Sequence, residues 1–293
     1  MKLTDKIWCL GNRHFNMFIV GKKRAVIVEC GVSGAVANLR QQWPHLQPQP
    51  EIMHLLAMHA HFDHICGIPN LRKLFPRAQV AASAIGSKVM EKDKVMTGFF
   101  AQDKEMINVL VEQGILNDVA DGADPQTIKT QVVLNDGDIL AVEKGCTLKM
   151  VSTPGHSPCS MAAYMPEEKV LFTSDACGFQ ISDEEIFPIF FQGYEMYVDS
   201  IRSLRGYPAD ILAIPHERIW KGAEEIAAFY DRALKAAQQA YDSIRQMSET
   251  GVAVEDMKKI LFDRYYKGNL RIYTKENIKL CVSLLIKRVQ ECL

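Results

Sequence analysis

The chain has 293 residues, of which 48% are apolar and 24% charged, which is typical of a soluble globular protein with a sizeable buried core. Its 34 Lys and Arg nearly balance 35 Asp and Glu, and this lack of basic excess argues against a nucleic-acid partner. No apolar run reaches the roughly 18–20 residues of a membrane-spanning helix, which argues against an integral membrane protein.

The first half of the sequence alternates short β-rich runs with helical segments. Five runs bounded by turn residues are predicted as strands: Ile7–Leu10, Phe15–Val20, Ala25–Glu29, Ile52–Met58 and Gln79–Ala82. Apolar spacing predicts helices over Gly34–Trp43 and Ile68–Phe75, and a longer helical insertion over Ile85–Leu116.

The second half returns to strands and then becomes helical. Further strands are predicted at Gln131–Leu134, Thr147–Ser152, Met161–Tyr164, Val170–Thr173 and Ile211–Ile214, with a helix near Tyr197–Leu204. Two apolar stripes with helical spacing follow, one from Ile226 to Ile244 and one from Ile278 to Val289, the second after a candidate N-cap at Thr274. We therefore expect an α/β fold of sheets flanked by helices over residues 1–220, with a helical insertion at about 85–120 and a helical C-terminal appendage over 221–293.

The predicted strand Ile52–Met58 ends in the sequence His59-Ala60-His61-Phe62-Asp63-His64. Alternate side chains of an extended segment lie on the same side, so His59 and His61 can bind one metal ion. A turn after them would direct Asp63 and His64 toward a second ion. Imidazole and carboxylate ligands suit zinc, iron or manganese. The alternative is a set of surface histidines on a polar loop, which is less favoured because the end of a strand is a rigid place for ligands.

Three more residues of ligand type also follow predicted strands. His156 comes after Thr147–Ser152, Asp175 after Val170–Thr173, and His216 after the last strand. Each one alone is an ordinary loop residue. Together with the first motif they indicate one site built at the ends of several strands.

This order of residues resembles the metallo-β-lactamase-fold hydrolase superfamily. The resemblance covers residues 1 to about 220 and implies an αβ/βα sandwich with the metal site at one edge. It further implies two divalent ions: one bound by His59, His61 and His156, one bound by Asp63, His64 and His216, with Asp175 bridging them. Some positions depart from the family pattern, since Ser174, Glu217 and Cys159 stand where glycine is frequent. These departures make the loop shape near the second metal the least predictable part of the site.

Two adjacent cations lower the pKa of a bridging water from 15.7 to about 7, so the site is expected to generate a hydroxide that attacks a carbonyl or phosphoryl centre. Asp63, near this nucleophile, is the candidate for orienting it and moving its proton. We expect Phe99 and Phe100 of the insertion, together with Phe191, to contact the substrate. The alternative, which is favoured for any one of them taken alone, is that the residue packs its own segment onto the rest of the domain.

The layout, with its long insertion and helical C-terminal region, is also similar to the thioesterase and response proteins of bacterial quinolone signalling. That similarity implies a small-molecule thioester as substrate. A lactone or a phosphodiester remains an alternative, although Gly178 replaces the Tyr that lactonases place after the bridging Asp. A non-catalytic regulatory protein that retains the metal site is a further alternative.

The eight cysteines include no C-x-x-C pair, so free thiols in a reducing cytoplasm are expected. The N-terminus shows no secretory signal. Neither a nucleic acid nor a membrane is an expected partner, and a homodimer formed through the C-terminal helices stays open.

Overall fold

The computed structural model describes residues 1–117 and 122–293. Two six-stranded sheets form the centre of the fold, and a two-stranded ribbon lies beside them. The first sheet has the order β1 (Ile7–Asn12), β2 (Phe15–Val20), β3 (Arg24–Val28), β4 (Glu51–Ala57), β5 (Gln79–Ser83) and β6 (Val132–Leu134). The second has the order β14 (Trp220–Lys221), β13 (Ile211–Ala213), β10 (Val170–Phe172), β9 (Met161–Met165), β8 (Cys146–Ser152) and β7 (Ile139–Glu143). The ribbon pairs β11 (Phe179–Gln180) with β12 (Ile186–Phe187).

The described helices fall into three groups along the chain. Those of the first half are α1 (Ala35–Gln42), α2 (Phe62–Ile65), α3 (Ile68–Leu74), α4 (Ala84–Met90) and α5 (Asp93–Glu112). A single helix, α6 (Tyr194–Arg205), precedes β13. The C-terminal group is α7 (Ala223–Glu249), α8 (Val254–Tyr265) and α9 (Lys275–Gln290), with a 3₁₀ turn over Gly268–Ile272 between the last two.

The strands that end at the candidate site are parallel to one another within each sheet. In the first sheet β3, β4, β5 and β6 run parallel, whereas β1 and β2 form an antiparallel hairpin. In the second sheet β10 pairs parallel with β13. Since parallel strands bring their carboxyl ends to one edge, residues that follow β4, β10 and β13 can meet there.

The two sheets pack face to face, and helices cover their outer faces. One apolar cluster lies between the sheets and includes Phe18 of β2 and Phe172 of β10, whose ring centroids are 5.3 Å apart. Met17 and Ile19, on the other face of β2, belong to a second cluster that packs against helices. Because β2 is buried on both faces, all its residues are buried and its sequence is nearly continuously apolar.

The predicted fold class is confirmed, and the differences are in individual elements. The helical insertion consists of α4 and α5, which are separated at Glu91 and Lys92; residues 118–120 of the predicted insertion lie outside the described residues. The short strands β7, β11, β12 and β14 and the helix α8 were not predicted. The first four residues of β7 are all apolar although alternate ones are exposed, so its sequence lacks the two-residue alternation of a half-buried strand.

None of the described helices combines the length and apolar character needed to cross a bilayer. All eight cysteines are free.

Candidate metal centre

The motif at residues 59–64 lies where β4 ends and the short helix α2 begins. His59 lies two residues after Ala57, the last residue of β4, and His61 is the extended residue that precedes α2, with φ −107° and ψ 158°. Asp63 and His64 then lie on the single turn of α2. The change from extended chain to helix separates the directions of these two pairs of side chains, as the sequence predicted.

The structure brings the seven predicted ligands together in three overlapping groups. Each group places its ligand atoms within 4.8 Å of one another: His59, His61 and His156; His59, His64 and Asp175; and Asp63, His64 and His216. Asp175 contacts both sides, since its Oδ2 lies 3.4 Å from His156 Nε2 and 3.4 Å from His64 Nε2. These His and Asp groups could bind metal ions.

The first group is a tight triangle of imidazole nitrogens. His156 Nε2 lies 3.2 Å from His59 Nε2 and 2.9 Å from His61 Nδ1, and His59 Nε2 lies 3.1 Å from His61 Nδ1. Burial, together with the neighbouring imidazoles, lowers the pKa of His59 well below its usual range and that of His61 to about 3. Burial also lowers the pKa of His156. Three neutral imidazoles therefore converge here.

The triangle fits a metal ion because of the hydrogen bonds on its outer side. His156 Nδ1 lies 2.9 Å from the Ile189 carbonyl oxygen, which can only accept, so Nδ1 carries the proton and the Nε2 lone pair faces the other rings. His59 Nδ1 is hydrogen-bonded to Ser174 Oγ at 3.1 Å. Converging lone pairs repel one another, and a cation between them removes that repulsion. Outer hydrogen bonds of this kind orient the ligands of metal sites in general.

On the other side of the site, carboxylates surround His64. His64 Nδ1 donates to Glu29 Oε2 at 2.7 Å, and Glu29 is buried at the end of β3. Although burial lowers the pKa of His64, the carboxylates of Glu29, Asp175 and Asp63 outweigh it and raise this pKa well above its usual range. A buried site with three acidic groups is favourable for cations.

His216 completes this side of the site. Its Nε2 lies 3.3 Å from His64 Nε2 and 3.4 Å from Asp175 Oδ1, and its Nδ1 donates to the His14 carbonyl oxygen at 2.6 Å. Although burial raises the pKa of Asp175, the nearby His64 and His216 hold it well below its usual range. Asp175 is therefore ionised and available as a ligand.

Two of the residues that replace family glycines have left-handed backbone conformations. Ser174 has φ 48° and Glu217 has φ 64°, in the region that glycine occupies without cost. Each side chain makes contacts that glycine lacks. Ser174 is hydrogen-bonded to His59, and Glu217 pairs with His14 and Arg13 behind His216. Ser174 and Glu217, which are neighbours of Asp175 and His216, thus have backbone conformations that glycine favours and side chains that contact the site.

Tyr273 reaches the site from the C-terminal region and was not predicted. Its hydroxyl donates a 2.6 Å hydrogen bond to Asp63 Oδ2, and its ring contacts Phe62 and Phe179. Burial and the adjacent Asp63 raise the pKa of Tyr273 well above its usual range, which keeps the hydroxyl a donor. The sequence gives no signal for this role of Tyr273, because Tyr273 is one of nine tyrosines and no motif surrounds it. Glu29 was also missed, although an acid at the end of an apolar strand is a usable signal.

A cavity of about 180 Å³ opens above the ligands. Of the three residues predicted to contact substrate, Phe99 and Phe191 line this cavity and Phe100 does not. Phe100 is 3% exposed and packs in the apolar cluster between the sheets and the helices. Consecutive residues of a helix point about 100° apart, so Phe99 and Phe100 face different surroundings. The cavity is lined by residues that come from the motif, from α5, from the β11–β12 ribbon and from the C-terminal region. They are His61, Phe62, Asp63, Phe99, Gln102, His156, Asp175, Phe179, Phe187, Ile189, Phe191, Leu270, Tyr273, Asn277, Ile278, Leu280, Cys281 and Leu284.

Solved structures with the same fold are numerous. The stereoselective inverting sec-alkylsulfatase Pisa1 from Pseudomonas sp. superimposes with a TM-score of 0.66 and 15% identity, covering 98% of this chain and 49% of that protein. A metallo-beta-lactamase superfamily protein from Sulfolobus tokodaii superimposes with a TM-score of 0.57 and 16% identity, covering 80% of this chain and 99% of its own.

Among relatives found by sequence is an atrochrysone carboxyl ACP thioesterase from Pseudocercospora fijiensis, 24% identical over 257 residues. The match covers 85% of this chain but only 62% of that relative's length. The sequence model of the metallo-beta-lactamase superfamily matches residues 11–216, which include all seven of the converging ligands. With its sandwich of two sheets and its His and Asp site at the strand ends, this chain belongs to the metallo-beta-lactamase superfamily of hydrolases.

Proposed function

We propose that this protein is a metal-dependent hydrolase that cleaves a small-molecule thioester. The observation that carries the proposal is the convergence of five imidazoles and two carboxylates at the inner end of a largely apolar cavity. Such a site combines cation ligands with an adjacent space that can hold an apolar group.

The ligand set is suited to two divalent ions, with zinc, iron and manganese as the candidates. His59, His61 and His156 would hold one ion, and Asp63, His64 and His216 the other, with Asp175 between them. Bound ions of this kind supply Lewis acidity and lower the pKa of water toward neutrality. The outer contacts to Ser174 and Glu29 would fix the imidazole orientations before the ions arrive.

Asp63 is the candidate for orienting the attacking water and accepting its proton. Its Oδ2 accepts the Tyr273 hydrogen bond at 2.6 Å, which fixes the orientation of the carboxylate. A carboxylate whose orientation is fixed before the reaction loses little entropy during it. The pairing with Tyr273 therefore makes Asp63 suitable as a positioned base.

A neutral carbonyl substrate is favoured over a phosphodiester by the cavity lining. Of the described residues that line the cavity, none is Lys or Arg, so no side chain of the lining would neutralise a phosphate in addition to the bound ions. The relative from Pseudocercospora fijiensis is named an ACP thioesterase, which favours a thioester among carbonyl substrates. A lactone is the runner-up, because its ring ester needs the same hydrolytic groups.

The proposal is tested by elemental analysis of the purified protein combined with a substrate screen. We expect about two metal equivalents per chain and turnover of acyl-CoA or N-acetylcysteamine thioesters that is lost in His59→Ala. Turnover of a phosphodiester alone would overturn the proposal. Metal binding without turnover of any ester, thioester or lactone would instead support a regulatory protein that retains the site.

A further inference from the structure

The cavity above the candidate metal centre contains two polar side chains that the proposed chemistry does not use. Gln102 on α5 and Asn277 on α9 both line it. The Asn277 side-chain amide donates a 3.0 Å hydrogen bond to Gln102 Oε1. This amide pair joins the insertion helix to the C-terminal helix within the cavity lining.

Each amide lies close to a residue that contacts the metal ligands. Phe99, whose ring centroid is 6.4 Å from that of His61, is one helical turn before Gln102, or about 5 Å along the axis. Tyr273, which is bonded to Asp63, is four residues before Asn277. An acyl group whose reacting carbonyl lies at the ligands therefore extends toward the amide pair.

The pair has hydrogen-bond donors to spare. Asn277 Oδ1 already accepts from the Cys281 thiol at 3.7 Å, and Gln102 Oε1 accepts from Asn277. In the part of the chain that the structure describes, the Gln102 Nε2 amino group has no hydrogen-bond partner. What remains free on both residues is N–H, so the group that fits is an oxygen that accepts hydrogen bonds.

The rest of the lining decides the charge of that group. Apart from the metal ligands, the cavity contains mainly aromatic and aliphatic side chains, and within residues 1–117 and 122–293 no Lys or Arg lines it. Burying a carboxylate there without a counter-charge is costly, whereas a hydroxyl or carbonyl needs only a hydrogen bond. The cavity has a volume of about 180 Å³, which is smaller than the ~300–1,000 Å³ of pockets for drug-sized ligands. It therefore suits an acyl group that contains about one ring.

We propose that Gln102 and Asn277 form a specificity subsite for a neutral oxygen, hydroxyl or carbonyl, on an otherwise apolar acyl group of about one ring. The inference rests on the proposed thioesterase function for its kinetic test but not for its binding test. A carboxylate at the same position of the acyl group is disfavoured because no Lys or Arg of the described residues lines the cavity.

The kinetic test compares three N-acetylcysteamine thioesters: phenylacetyl, 4-hydroxyphenylacetyl and 4-carboxyphenylacetyl. In the wild-type protein we expect kcat/KM for the hydroxylated thioester to exceed that for phenylacetyl by about three- to tenfold, the effect of one hydrogen bond. The carboxylated thioester should be the poorest of the three. In the double variant Gln102→Met/Asn277→Leu, the preference for the hydroxyl should fall to near unity.

Gln113→Leu serves as the matched control, because Gln113 is an exposed amide at the end of the same helix and outside the cavity. It should keep the wild-type preference. Replacement of the Asn277 side chain leaves the α9 N-cap intact, since Thr274 Oγ1 accepts from the backbone N–H of residue 277. Thermal unfolding of all variants verifies that they fold.

The binding test uses calorimetry with 4-hydroxyphenylacetamide and phenylacetamide, neither of which contains a thioester. The wild type should bind 4-hydroxyphenylacetamide about three- to tenfold more tightly than phenylacetamide. The double variant should bind the two amides with equal affinity. Equal binding of both amides to the wild type, or a preference that persists in the double variant, would overturn the subsite. Absence of thioester turnover with selective amide binding would overturn the proposed function and leave the subsite supported.

Discussion

Removal of one oxygen atom at Tyr273 tests whether the C-terminal region acts on the chemistry of the metal site. The Tyr273 hydroxyl donates a 2.6 Å hydrogen bond to Asp63 Oδ2, and the ring packs against Phe62 and Phe179. Tyr273→Phe keeps those ring contacts and deletes only the hydroxyl. The substitution therefore isolates the orientation of Asp63 from the packing of the C-terminal helices.

The expected size of the effect follows from the charge of the acceptor. A hydrogen bond to a charged group contributes about 1.5–3 kcal/mol, and each 1.4 kcal/mol corresponds to a factor of ten. If the whole contribution acts on the positioned carboxylate, kcat falls by about 10- to 150-fold in Tyr273→Phe. KM should change little, because the rings that line the cavity remain in place.

The assay is steady-state hydrolysis of a thioester at saturating metal, with metal content measured on the same samples. Tyr164→Phe is the control, since its hydroxyl donates to the Pro208 carbonyl oxygen at 3.0 Å and Tyr164 does not line the cavity. That variant should retain wild-type kcat. A kcat for Tyr273→Phe within twofold of wild type, or an equal loss in Tyr164→Phe, would refute the reasoning.

Three other changes have defined outcomes. Treatment with a strong chelator, or His59→Ala, should abolish turnover, and added Zn²⁺, Mn²⁺ or Fe²⁺ should restore it only in the chelated wild type; activity that survives chelation contradicts the metal assignment. Ser174→Ala removes the hydrogen bond to His59 Nδ1 and should weaken metal affinity by about 10- to 100-fold in a competition titration, whereas unchanged affinity would mean that Ser174 does not orient the ring. Burial raises the pKa of Asp103 from 3.8 to about 6, so between these values the folded state binds more protons than the unfolded state and this residue's contribution to stability declines as pH rises. Asp103→Asn should lack that decline, and its free energy of unfolding relative to wild type should increase by about 2 kcal/mol from about pH 4 to about pH 7; a flat difference would contradict the assigned pKa.

The ligand set was predictable because each ligand follows a strand that its own sequence identifies. β4 ends in three buried apolar residues, 55–57, two residues before His59, and the spacing of His59 and His61 reflects the two-residue period of extended chain. Asp175 and His216 follow β10 and β13, which are short but fully buried. Local pattern and parallel topology together determine where these side chains meet.

The remaining parts of the site depend on contacts between distant segments, which no local pattern encodes. Tyr273 and Asp63 are 210 residues apart in the chain, and their contact depends on how α8 and α9 pack. Phe99 and Phe100 have the same side-chain chemistry, and the rotation of α5 alone places one in the cavity and the other in the core. The weak strand β14 and the helix α8 lacked a periodic signal strong enough to predict.

The division of the cavity lining between two parts of the chain has a consequence for specificity. All seven ligands lie within residues 11–216, the span that the superfamily shares. Leu270, Tyr273, Asn277 and Leu280, which complete the cavity, lie beyond that span, and Leu280 is 57% exposed at its edge. Changes in the C-terminal helices can therefore alter the shape of the cavity without replacing a ligand, because no ligand belongs to those helices. Superfamily membership thus constrains the chemistry of this protein more strongly than it constrains the substrate.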